Sequence, residues 1–155
     1  MPFLDGQRLT LHERHRVEVR RRLRAAIEKA RRESAERRAR TDAAARDYET
    51  FLSQCASPVF HQFATALNAE RHQFKVFTPA SSIRLAAERS PDEFIELALD
   101  ESSDPPAVVG RTTRGRGRKM VSSERPLKDG AAVVDLTDED VLTFLLEEIT
   151  RLIER

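Results

Sequence analysis

Several things that small proteins use to hold themselves together or to do chemistry are scarce in this sequence. Cysteine occurs once, as Cys55. No internal disulfide can form, and a reducing, cytoplasmic setting is the expectation. Tryptophan is absent, and Tyr48 is the single tyrosine. No run approaches the roughly 18 apolar residues of a membrane span, so no membrane partner is expected. The opening Met1–Gly6 lacks the apolar stretch of a signal peptide. Glycine and proline are missing from His12 to Ala56, which removes the usual helix breakers from that whole segment.

Motifs for chemistry are scarce too. No Gly-Lys-Ser/Thr phosphate loop and no Gly-x-Ser-x-Gly elbow occurs. His12 and His15 lie one turn apart, but the spacing places no third ligand beside them, and a zinc site needs three or four. His61 and His72 flank a helix and are too far apart to share a metal. No catalytic residue, cofactor or metal is therefore assigned, and the chain reads as non-enzymatic.

What is present is charge. The sequence holds 27 basic and 26 acidic residues, which make up 34% of it, against 39% apolar. The two signs are unevenly spread. From His12 to Asp47 thirteen basic residues face seven acidic ones; from Ala131 to Arg155 two face seven. Only four of the basic residues are lysine, an arginine bias typical of GC-rich bacterial genomes. Seven of the eight phenylalanines lie at or beyond Phe51, so the core belongs to the later part of the chain.

The expected fold class is α+β. A lead and a long Arg-rich helical arm occupy 1–56, and a small α+β module occupies 57–155. The arm is rich in Arg, Ala and Glu, all good helix formers, with Glu28–Arg32 and Glu33–Arg37 as i,i+4 pairs. A stripe at 3-4 spacing runs through Leu23, Ile27, Ala30, Ala44, Tyr48 and Phe51. Its centre, at Ser34, Arg37 and Thr41, is polar, so a continuous coiled coil is not expected. Ser57-Pro58 reads as a capped restart of a short second helix ending near Arg71. The period then changes to two. An antiparallel meander of about five strands is expected at 74–78, 83–87, 95–99, 107–109 and 118–123, with a possible sixth at 131–134. Thr137, with Asp140 three residues on, opens a C-terminal helix packed on one sheet face, and Leu136 and Val141 form a hydrophobic staple.

Two binding features follow. The stripe offers oligomerisation, or docking to a larger protein. The string from Arg111 to Lys119 offers an open, glycine-spaced loop whose Arg111, Arg114, Arg116, Arg118 and Lys119 suit DNA, RNA or another anion. The leading expectation is an interaction or assembly subunit. Nucleic-acid binding through residues 111–119 is the alternative.

Overall fold

The computed structural model describes residues 10–154 and has the expected α+β fold. The chain divides into two compact units, 1–39 and 40–155. Helix α1, Leu11–Phe51, spans the division. Thr10 starts it. The Glu13 amide donates to Thr10 Oγ1 at 3.1 Å, and the Thr10 amide donates to Glu13 Oε2 at 2.9 Å. This reciprocal pair satisfies two of the four amides that a helix start leaves open.

Between Leu11 and Ala39 every residue is exposed except Glu18 and Ser34, which are half-buried. Local pairs support this stretch. Glu18 receives Arg21 at 2.5 Å and Arg22 at 2.9 Å, and Lys29 lies 3.9 Å from Glu33. Hydrogen bonds from Arg21, and then from Arg22, hold the Glu18 carboxyl down to about 2. The expected Glu28–Arg32 pair is not among the ion pairs of the described residues.

In the second unit α1 does not stop at Ser57. Leu52–Ala56 forms a π-turn, with the Ser57 amide donating to the Leu52 carbonyl, and α2 continues from it over Ser57–Ala69. Ser57 has helical backbone angles and caps nothing; the cap expected there is not used. The wider turn accommodates Pro58, whose ring and missing N–H would disturb an ordinary α-turn. Helix α2 ends at Ala69, two residues before the expected end. Arg71 takes a left-handed conformation, φ 70°. The His72 amide returns to the Leu67 carbonyl at 2.9 Å and the Arg71 amide to Asn68 at 3.1 Å, the Schellman arrangement with arginine where glycine is usual.

The sheet is a five-stranded antiparallel meander in chain order: β1 Phe74–Phe77, β2 Ile83–Ala87, β3 Phe94–Asp100, β4 Ala107–Arg116 and β5 Lys119–Pro126. β4 runs through Arg116, so most of the string expected to be an open loop is strand. Only Gly117 and Arg118 form the turn, and Gly117 has φ +65°. A two-residue hairpin with glycine first and φ positive matches the right-handed strand twist. The possible sixth strand is instead a 3-10 turn, Val133–Asp135.

Strand alternation sorts the residues. Ile83, Leu85, Ile95, Leu97 and Val108 turn to one face and are at most 3% exposed. Helix α2 and helix α3, Asp138–Ile153, cover that face, with Phe60 and Phe144 at its centre, 0% and 1% exposed. β4 has Gly110 where the Phe144 ring lies. A Cβ built there would sit 2.0 Å from the ring tip, so the helix rests on bare backbone.

The start of α3 follows its sequence signal. Asp140 donates its amide to Thr137 Oγ1 at 3.3 Å and accepts the Thr137 amide at 2.9 Å, while Leu136 and Val141 are both buried. Burial presses the Asp140 carboxyl upward. The Thr137 amide and hydroxyl, with Lys128, outweigh it and leave the pKa below the ordinary aspartate value. A depressed carboxyl pKa stabilises the fold above the unfolded value, and that contribution is lost as pH falls through the folded one. Thr137→Ala should therefore lower stability at neutral pH by about 1 kcal/mol. It should also flatten the acid limb of the stability–pH curve below about pH 4, both read by urea unfolding across pH.

Candidate functional site

The five cations expected to form one patch are divided by the fold. Arg111 belongs to the sheet face opposite the helices. There Glu96, 6% exposed, sits between two guanidinium groups supplied by the cross-strand register. Arg84 Nε donates to Glu96 Oε2 at 2.7 Å, and Arg111 Nη2 donates to Oε1 at 3.0 Å. The Phe94 ring underlies both, with the Arg84 guanidinium carbon 3.9 Å and the Arg111 one 5.9 Å from its centroid. Arg111 thus pairs with a buried carboxylate on the sheet face away from Arg114 and Arg116.

Arg114 and Arg116 follow Gly110 by four and six residues, so they point to the helix-side face. They line a cleft of about 560 Å³ between the tip of the β4–β5 hairpin and the last turn of α3, together with Arg151, Leu152, Glu93 and Glu154. Arg118 occupies the turn itself, and Lys119 stands opposite Arg116 in the register; neither lines the cleft. Glu93 accepts the Gly115 amide at 3.3 Å, tying the hairpin to the β2–β3 connection.

Arg151 is held in place by a second buried carboxylate. Glu148 is 2% exposed. Its Oε1 accepts from Arg125 Nε at 3.4 Å, and Arg151 Nε lies 3.2 Å from its Oε2. That oxygen has no directed hydrogen bond, so the Arg151 contact compensates charge without satisfying the lone pair. Arg125 also reaches Glu147 at 2.6 Å and stacks over the Phe144 ring, 4.6 Å to its centroid. Both carboxylates hold arginines from separate parts of the chain.

A second cleft, of about 370 Å³, shares Glu93 and Leu152 with the first and adds Arg71, His72 and Arg89. Arg71, Arg89, Arg114 and Arg116 make no ion pair among the described residues. No sequence pattern marks Arg71, Arg89 and Arg151 as neighbours: they come from a helix end, a strand end and another helix end. The signal available was limited to Arg114 and Arg116 sharing a face by alternation.

The stripe is divided as well. Leu23 and Ile27 are 58% and 42% exposed, and Ala30 is exposed. Tyr48 and Phe51 are instead core residues, 3% and 4% exposed, with Ala44 packed against them. The Tyr48 hydroxyl donates to the Ser81 carbonyl at 2.6 Å, and burial, with the Glu96 charge second, pushes its pKa up. Tyr48 and Phe51 belong to the core of the second unit, and the half-buried Ala44 packs against it. Cys55 is half-buried, and burial, then a hydrogen bond with Asp138, raises its thiol pKa. Among the described residues no group of His, Cys, Asp or Glu has the arrangement of a metal site, and no helix is long and apolar enough to cross a membrane.

Removing one partner of a fully buried ion pair typically costs about 3–5 kcal/mol. Arg84 and Arg111 are 30% and 44% exposed, so water recovers part of that. Glu96→Ala should lower stability by about 2 kcal/mol, measured by chemical unfolding, and Glu96→Gln by less.

Comparison with protein-family models, with curated proteins and with solved structures finds no match to this chain.

Proposed function

We propose that the chain works by binding, as a non-enzymatic interaction subunit whose docking arm is residues 11–39 of α1. The observation that supports this is the exposure of Leu23 and Ile27 on a helical stretch with no buried residue. Arg20, Arg24 and Arg31 flank the two, and their aliphatic stems extend the apolar surface while their heads stay in water. An amphipathic helix that presents apolar residues at i and i+4 is the form in which such a segment enters a partner's groove.

Charge favours a different protein over a second copy. Residues 11–39 hold eleven basic and five acidic side chains, a net of +6. Pairing two such segments brings like charges together along their length, which opposes association unless salt screens it. An acidic partner surface with an apolar groove gains from both features.

Ultracentrifugation of the purified chain, with nuclease-treated capture from its native host, tests this. The chain alone should be monomeric. Leu23→Glu with Ile27→Glu should weaken partner capture at least about tenfold, the equivalent of about 1.4 kcal/mol, without altering unfolding of the second unit. Capture unchanged by the double substitution would contradict the arm. Self-association abolished by it would favour pairing of copies.

A further inference from the structure

We infer that the two adjoining clefts at the end of the sheet form a binding site for single-stranded nucleic acid, held through its phosphates. The site lies wholly within the second unit and goes beyond the docking arm, on which it does not depend.

The electrostatics come first. Arg114, Arg116 and Arg151 line one cleft, and Arg71 and Arg89 line the other. Against these five guanidinium groups stand Glu93 and Glu154, the buried Glu148 that already contacts Arg151, and the roughly half negative charges at the C-termini of α2 and α3. The balance remains positive after all of these are counted, and it rests on Arg71, Arg89, Arg114 and Arg116. His72 adds a further donor. Each guanidinium presents a planar fork that fits a phosphate oxygen pair.

Shape narrows the class of anion. The clefts adjoin at Glu93 and Leu152, so their cations are divided between two joined cavities, which a chain of phosphates fills better than one phosphate does. Volumes of about 560 and 370 Å³ suit single nucleotides in succession. The second cleft also carries an apolar patch at Ile153, which is 38% exposed, beside the buried Leu152. An unpaired base can lie on that patch or on guanidinium planes, whereas a bare polyphosphate leaves it uncovered.

The site also has a fixed frame. Glu148 restrains Arg151, Glu93 takes the Gly115 amide, and Phe144 against Gly110 sets the separation of hairpin and helix. Arg114 and Arg116 need move only their side chains to reach a ligand.

Fluorescence anisotropy with the full chain and a labelled single-stranded oligonucleotide of about 15 nucleotides tests the inference. Binding is expected at about 50 mM salt, weakening as salt rises with a log–log slope near −0.7 per phosphate contact. Arg114→Ala with Arg116→Ala should weaken it at least about tenfold and make the slope shallower by about 1.4. Arg89→Ala should also weaken it. Arg118→Ala with Lys119→Ala, which alters equally basic hairpin residues outside the clefts, should leave affinity within about threefold. So should the Leu23/Ile27 double substitution, so failure of the arm and failure of this site are separable. Unchanged thermal unfolding would show that each variant is folded; a variant that melts early is replaced by the Arg→Gln form at the same position. Three results overturn the inference: no binding at low salt, tighter binding of duplex than of single strand, or equal losses from the turn and the cleft substitutions.

Discussion

The packing of Phe144 against Gly110 is the contact on which the rest of the second unit depends. A strand residue with any side chain would hold α3 away from β4, because its first carbon would sit 2.0 Å from the ring tip. With glycine there, the helix lies on the backbone, and the two elements acquire a fixed register. Arg125, opposite Gly110 on β5, lies over the face of the ring. From this anchor the remaining positions follow by geometry. Arg151 is two helical turns beyond Phe144. Arg114 and Arg116 are two and three strand repeats beyond Gly110 on the same face. The cationic cleft is therefore the far end of a packing arrangement that begins in the core.

Two buried carboxylates decide what the arginines do. Glu96 takes Arg84 and Arg111 on one sheet face, and Glu148 takes Arg125 and restrains Arg151 on the other. A carboxylate so buried requires cationic partners, because leaving a charge uncompensated in the interior costs several kcal/mol, on the order of 3–5. Arg71, Arg89, Arg114 and Arg116, which make no ion pair among the described residues, line the two adjoining clefts. A chain with an almost balanced overall charge thus carries local surfaces of strongly positive sign.

Much of this was legible in the sequence, and the parts that were not have physical causes. The helix free of Gly and Pro, the meander and the α3 cap were readable because each is signalled by residues close together in the chain. The Thr10–Glu13 cap is equally local, but it stands ahead of the apolar periodicity that marks the arm. The π-turn was hidden because Ser57-Pro58 carries the same composition as a true helix start. β4 is longer than its composition suggests, because its glycines have the character of a loop. Gly110 is instead a packing site, and Gly115 lies in the strand, where its amide meets Glu93. Tyr48 and Phe51 fit the arm stripe by spacing, yet they serve the core, since one helix face can change neighbours along its length. The two adjoining clefts could not be read at all: Arg71, Arg89, Arg114 and Arg151 meet only through tertiary packing.

That dependence on one contact has a thermodynamic signature. In a double-mutant cycle of Gly110→Ala and Phe144→Leu, each single change should be destabilising, the first by forcing the ring aside and the second by lost packing. The shorter side chain leaves room for the new methyl group. Urea unfolding should therefore show the double variant less destabilised than the sum of the singles, by at least about 1 kcal/mol. Additivity within about 0.5 kcal/mol would contradict the account, because it would mean that the ring and the glycine do not set each other's position.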